Sequence, residues 1–554
     1  MNRKRSHDWR GTKSMLERWD YVVAGAGSAG SVLAARLTED PNVRVLLLEA
    51  GGRNRDFRIY MPAANGLVVG HPRFDWNFYT EPQAHMNGRR IHWPRGRGLG
   101  GSSAINGMIY IRGNERDYDA WRQLGLEGWA YRDVLPYFRK SESRLGGGDS
   151  WRGDDGPLLT GPASRLLPID RVFLEACRQA GYPDNPDFNG ASQVGAGPYD
   201  FTVRDGKRST VARCYLDGVS GRPNLTVRTG ALATRLVVEN NRAAGLVYRR
   251  EGQELTAYAD VEVLVCQGAI GSPQLLMLSG IGPADHLRSL GLPVTADVPG
   301  VGANLHDHLN IPIQYACTDP TATLDRWQKP HFAVWLGLSY FLSAGKSGPG
   351  SNAFWAVGAF PPGRSDPDWP HLQIFFTPMV VRDDPAESRK HAVPGFQFDV
   401  NQMRPASRGT LRLRSSDPGD PPLLDPNYLA EETDRREMIE AVKTGREIAH
   451  QTSFDKLRGA ELYPGAAVRS DPEIVEAVRN GGISGYHPAG TCKMGAENDL
   501  GAVLDSRFRV RGVEALRVVD ASAMPVLPTG NTNAPVIMMA EKAADLCRED
   551  PSAR

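Results

Sequence analysis

Asp20-Tyr21-Val22-Val23-Ala24-Gly25-Ala26-Gly27-Ser28-Ala29-Gly30-Ser31 is the stretch whose reading sets the fold. The apolar run to Ala24 reads as a buried parallel strand, and Ser31 to Leu37 continues with helical periodicity. A second strand, Arg44 to Leu48, ends at Glu49. This is a dinucleotide-binding βαβ unit. Gly25 allows the tight turn, Gly27 lets backbone approach a pyrophosphate, and Gly30 lets helix and strand pack closely. Ser28 and Ala29 stand at the helix start, where unpaired N–H groups face an anion. Glu49, at the end of the second strand, is placed for ribose hydroxyls. The motif by itself does not choose between FAD and NAD. No second unit of this kind is present, which argues against a chain that uses both.

With 554 residues the chain exceeds one ordinary core, so at least two domains are expected. Its formal charge of +1 gives no electrostatic case for a nucleic-acid partner. The first eighteen residues are basic (Arg3, Lys4, Arg5, Arg10, Lys13, Arg18) and lack the apolar core of a secretory signal. They read as a disordered tail, or as sequence ahead of a start at Met15. Cys177, Cys214, Cys266, Cys317, Cys492 and Cys547 are scattered without a Cys-x-x-Cys, so neither a disulfide framework nor a zinc ribbon is signalled. A reducing compartment, the cytoplasm, is the default expectation, with at most peripheral contact to the inner membrane.

Four further stretches narrow the chemistry. Gly96-Arg97-Gly98-Leu99-Gly100-Gly101-Ser102-Ser103-Ala104-Ile105-Asn106-Gly107 is glycine-rich enough to lie against a flat ring system. In Gly268 to Gly282, Val261 to Cys266 precedes as a strand, and Ser272-Pro273 reads as a helix start. Ser484-Gly485-Tyr486-His487-Pro488-Ala489-Gly490-Thr491-Cys492-Lys493-Met494-Gly495 and Gly530-Asn531-Thr532-Asn533-Ala534-Pro535 follow near the C-terminus. Together with the opening βαβ unit these resemble the glucose–methanol–choline (GMC) oxidoreductases, from Trp19 to Cys547.

The resemblance implies an α/β protein with a discontinuous Rossmann-type FAD-binding domain and an α+β substrate-binding domain built on an antiparallel sheet. The FAD domain is expected in 19–315, with substrate-domain insertions near 61–94 and 131–199, and again in 495–548; the substrate domain takes 316–494. Arg408 to Arg414 alternates like a strand of that sheet. Besides the βαβ residues, the resemblance assigns Arg97, Gly101, Asn106, Gly107, Ala233, Asp520, Ala521, Asn531 and Pro535 to the cofactor. Pro535 opens a helix whose positive end would favour an anionic reduced ring. Some family members attach FAD through a histidine just before the Asn of the first motif. Ile105 occupies that position here, so FAD is expected to bind without a covalent link.

By the same resemblance His487 is the base for the hydroxyl proton and Asn533 the hydrogen-bond donor to the substrate oxygen. The expected reaction is oxidation of a primary alcohol, with oxygen, a quinone or another acceptor taking the electrons. A non-redox lyase and a light-driven decarboxylase on the same fold, and a non-catalytic flavoprotein, are the alternatives. His306-Asp307-His308 reads as a turn fastening the cofactor domain, with no metal expected because adjacent residues on extended chain diverge. His331 to Leu342 is apolar on most faces but too short to span a bilayer, and reads as a core or lid helix with a hinge at Gly345 to Gly350.

Overall fold

The computed structural model describes residues 17–325, 330–343, 354–381 and 393–550. The expected hinge at 345–350 and residues 1–16 of the basic tail lie outside them. The first strand starts at Glu17, inside the expected tail. There Glu17 and Arg18 pair with Arg228 and Asp260.

The nucleotide half is a seven-stranded sheet in the order Leu225–Thr229, Val45–Glu49, Glu17–Ala24, Gln253–Val265, Arg242–Arg250, Ala231–Glu239, with Leu516–Val518 also pairing Gln253–Val265. The strands around Glu17–Ala24 are parallel, and the last three form an antiparallel meander. Strands buried on both faces read as continuous apolar runs, which is why Tyr21 to Ala24 and Val45 to Leu48 were legible. Helix Ser28–Leu37 and the C-terminal helix Asn533–Glu549 pack side by side beneath this sheet.

The substrate half is a second seven-stranded sheet, ordered Arg458–Tyr463, Leu309–Cys317, Gly395–Gln402, Leu372–Thr377, Val357–Phe360, Gly195–Pro198, with Ile483–Ser484 added to Leu309–Cys317. All of its pairings are antiparallel. One face presents Ile311, Ile313, Phe398 and Val400 to the helix Glu432–Ala449. The other carries Asn310, Asn401 and Gln373 in cross-strand register.

Three expectations need correction. Leu309–Cys317 is an inner strand of the second sheet, so the first segment of the FAD half ends before 309 rather than at 315. Thr410–Arg412 pairs only with Leu423–Asp425 in a separate ribbon; its alternation reflects a two-stranded edge, not the large sheet. The helix expected to start at Ser272-Pro273 runs from Gly268 to Leu278, with Pro273 in its interior. A proline there leaves the carbonyl four residues back without its N–H. Thr491 Oγ donates to that carbonyl, Ala269 O, at 2.6 Å, tying the His487 loop to this helix.

Candidate active site

Two helix ends converge where the sheets meet. Ser28 Oγ, at the start of the first helix, donates to Asn533 Oδ1 at 2.7 Å, at the start of the C-terminal helix. Neither helix has a side-chain cap, so both leave backbone N–H groups for an anionic ligand. The cradle between them is shaped by close backbone contacts. A Cβ on Gly30 would sit 1.9 Å from Gly25 O, and one on Gly101, where φ is +50°, 2.8 Å from Gly27 Cα. Glu49 accepts from the N–H groups of Ala26, Gly51 and Gly98 at 2.8–3.0 Å, clamping the two glycine loops together. Burial raises its pKa.

Other expected cofactor residues sit around this cradle in different ways. Asp520 is spent on Gly268 N–H, Ser272 Oγ and Ser522, and the Ala521 carbonyl accepts from Gly490 N–H at 3.1 Å, tying this loop to the one that carries His487. Asn106 Oδ1 accepts from Met108 N–H and from Arg208 Nη1, and Gly107 packs against the Trp355 ring. Arg97 lays its guanidinium over Trp76, 4.8 Å from the ring centre. Ala233 is buried in the antiparallel meander opposite Tyr248. Pro535 is the third residue of its helix, where no intrahelical N–H is needed. A loop pair too tight for side chains and two uncapped helix ends fit a flat, anionic dinucleotide.

His487 lies on the substrate side, 8% exposed. Its partner is not the expected one. Asn531 Nδ2 faces His487 Nε2 at 3.2 Å, whereas Asn533 is turned away to Ser28. The helix begins at Asn533, so that side chain follows the helix surface; Asn531 precedes it on the loop and is free to turn toward the sheet. Gln373 Nε2 donates to Asn531 Oδ1 at 3.3 Å, which orients the amide. An amide NH2 only donates, so His487 Nε2 carries the lone pair and its proton sits on Nδ1. That Nδ1–H points at His308 Nδ1, 3.0 Å away, which accepts. The result is a directed chain, Gln373 to Asn531 to His487 to His308.

The loop is locked from behind. Asp307, 1% exposed, accepts from His487 N–H at 2.7 Å and from Ser484 and Tyr428 hydroxyls, and Arg95 Nη2 donates to Tyr486 O at 2.6 Å. Burial first, then His308 and Arg95, hold the His487 pKa well below the ordinary imidazole value. His306 points elsewhere, donating to Asn304 O and accepting from Leu527 N–H.

Arg95, Asp307, His308, Gln373 and Arg208 were not assigned from the sequence. His308 and Asp307 lay inside a stretch read as a turn, and their sole signal was the density of polar residues before an apolar strand. Arg208 is fully buried, held by Ile59 O, Asn106 O and Oδ1, and Asn65 Oδ1. No carboxylate lies within 4 Å of it among the described residues, and burial alone draws its pKa to about 9.

Family models for the GMC oxidoreductases match residues 19–310 and 405–540. The chain belongs to the GMC oxidoreductase family. It is 47% identical to the oxygen-dependent choline dehydrogenase of Burkholderia vietnamiensis over 545 residues, 97% of this chain and 94% of that protein. The namesake from Burkholderia multivorans is also 47% identical, over 96% and 93% of the two chains. Among solved structures, pyridoxine 4-oxidase from Mesorbium loti superposes with a TM-score of 0.85 at 35% identity, covering 95% and 98% of the chains. A variant of Aspergillus oryzae formate oxidase, made to follow the effect of the mutation on FAD modification, gives 0.87 at 26% identity, covering 96% and 98%. This GMC oxidoreductase is thus an enzyme of the FAD-dependent fold.

Proposed function

We propose that the enzyme oxidises a primary alcohol to an aldehyde, with His487 as base and Asn531 as donor to the substrate oxygen. The observation that supports this most directly is the oriented contact between Asn531 Nδ2 and His487 Nε2. A hydroxyl that displaces the Asn531 Nδ2–H from His487 Nε2 donates its proton to the His487 lone pair, while the freed Asn531 amide holds the oxygen as negative charge grows there. His308 accepts from His487 Nδ1–H and so steadies the ring as it becomes cationic. FAD, when bound, supplies the acceptor for the hydride leaving the same carbon. The backbone N–H groups at Ser28 and at the start of the C-terminal helix, with Glu49, Asn106 and the Gly98–Gly101 loop, would hold it. Ile105 has no nucleophile, so the flavin is held without a covalent bond through that position.

Choline is the first alcohol to test, since the relatives from Burkholderia carry it in their names. Their names also carry oxygen, so the acceptor is tested alongside. An alcohol panel is assayed with oxygen and with an artificial electron acceptor in parallel, on the wild type and His487→Ala. His487→Ala loses at least ~100-fold in turnover, the scale of a lost acid–base group, and keeps its flavin; acid precipitation releases that flavin into solution. Near-normal turnover in His487→Ala would sink the assignment.

A further inference from the structure

Among the described residues four arginines are completely buried: Arg112, Arg152, Arg208 and Arg517. Three of them sit on carboxylates. Arg112 and Arg152 share Glu142, and Arg517 is held by Glu262 and Asp550. Arg208 is met by uncharged oxygens instead. Its Nε donates to Ile59 O at 2.9 Å, its Nη2 to Asn65 Oδ1 at 2.7 Å, and its Nη1 to Asn106 O and Oδ1 at 2.6 and 2.8 Å. Taking a cation out of water is costly, and amide dipoles offset that cost only in part. Neutral donors could make these bonds. The charge points to an anion that the folded chain does not itself supply.

Its place in the fold indicates which anion. Asn106 stands at the end of the glycine-rich loop whose Gly101 lies against Gly27 of the phosphate cradle. Arg208 grips that end, and three residues on Val211 N–H donates to Ser103 Oγ at 3.0 Å, so the loop is tied twice to the 208–211 segment. Asn106 Oδ1 accepts from both Arg208 Nη1 and Met108 N–H, which fixes the orientation of the amide. Its Nδ2 has no partner among the described residues, and the residue is only half-buried. An amide that accepts from a cation is polarised, and its own N–H groups become stronger donors. The loop thus offers an amide donor with a full positive charge behind it. FAD that has taken up a hydride carries one more negative charge, and that charge arises on the ring system this loop is shaped to face.

We propose that Arg208 is a positioning residue for the cofactor: it holds the Asn106 amide in the flavin loop, and its unpaired charge favours FAD in the reduced, anionic form. Three variants separate charge from geometry. Arg208→Gln removes the charge and keeps a donor. Arg208→Lys keeps the charge with fewer donors. Asn65→Asp leaves Arg208 in place and gives it a carboxylate where Asn65 Oδ1 now accepts at 2.7 Å. The measurement is the flavin midpoint potential of each flavin-loaded enzyme, taken by slow reduction in equilibrium with a redox dye and without alcohol. Arg208→Gln and Asn65→Asp should each lower the preference for reduced over oxidised FAD by at least ~10-fold, a fall of about 30 mV for a two-electron couple. Arg208→Lys should stay within ~2-fold of the wild-type ratio. Should Arg208→Gln release its flavin on purification, Asn65→Asp carries the test, because the arginine and its bonds remain. A wild-type potential in either charge-cancelling variant would overturn the proposal and leave Arg208 as a clamp for the loop. Equal falls in Arg208→Lys and Arg208→Gln would overturn it too, since geometry and not charge would be the cause. The potential is read without substrate, so this result and the alcohol-oxidation reading stand or fall separately.

Discussion

Replacing Asn531 and Asn533 separately by alanine tests which amide serves the reacting oxygen. Asn531→Ala removes the Nδ2 donor that faces His487 Nε2 at 3.2 Å, and among the described residues no other donor reaches that nitrogen. Loss of one pre-set donor to a developing oxyanion costs about 2.7–4 kcal/mol, or roughly 10²–10³ in turnover. It also removes one of two acceptors of the buried Gln373 Nε2, which keeps Tyr199 Oη at 3.4 Å, at about 0.5–1.5 kcal/mol of stability. Asn533→Ala breaks only the bond from Ser28 Oγ, a neutral hydrogen bond of about 0.5–1.5 kcal/mol, so turnover per bound flavin stays within ~10-fold. Asn531→Asp sharpens the comparison. It keeps an acceptor for Gln373 but sets a carboxylate beside the imidazole, which stabilises the protonated ring and moves the acid limb of the rate profile upward. The assay is anaerobic stopped-flow bleaching of the flavin by saturating alcohol, normalised to flavin content. A larger loss in Asn533→Ala than in Asn531→Ala would refute the reasoning.

Because burial and two cationic or ionisable neighbours depress the His487 pKa, the free enzyme carries a neutral base throughout the neutral range. The rate constant kcat/KM should therefore be level from about pH 7 upward and fall only below the ordinary imidazole pKa of about 6.5; a half-maximal point above pH 7 contradicts this. His306 and His308 are buried neutral, with pKa values of about 3. Their unfolded pKa is about 6.5, so the unfolded chain binds more protons below that value. Stability is full above pH 6.5 and is lost as pH falls toward 3, by about 2 kcal/mol for each histidine at pH 5; denaturant midpoints that do not move between pH 7 and pH 5 count against it. Asn65→Asp places a carboxylate where Asn65 Oδ1 now accepts from Arg208 at 2.7 Å. A charge-assisted bond there should raise apoprotein stability by about 1–2 kcal/mol, read as a higher melting temperature; a lower one argues that Arg208 already has an anion.

The nucleotide half was legible because its signals are local. A parallel strand buried on both faces must be apolar, and Gly30 answers to the backbone of Gly25 one turn back, while Gly25 and Gly27 carry the same local motif although they meet Cys266 and Gly101 from elsewhere in the chain. The second sheet was named only by resemblance, since its strands come from five separated parts of the chain and pair in an order no local pattern states. Pro273 misled because a proline usually marks a helix start; its lost hydrogen bond is made good by Thr491, more than two hundred residues away.

By itself the amino-acid sequence determined the βαβ cradle and the family and drew attention to His487, because each rests on residue types in short, contiguous runs. Tertiary structure alone decided that Asn531 rather than Asn533 faces the histidine. The two side chains are separated by a single residue, and which of them turns to the sheet depends on where the C-terminal helix begins and on Gln373 waiting across the cleft. It also decided that His308, Asp307 and Arg95 stand behind His487. Burial and hydrogen-bond direction are properties of what the chain folds against, and no spacing along it encodes them.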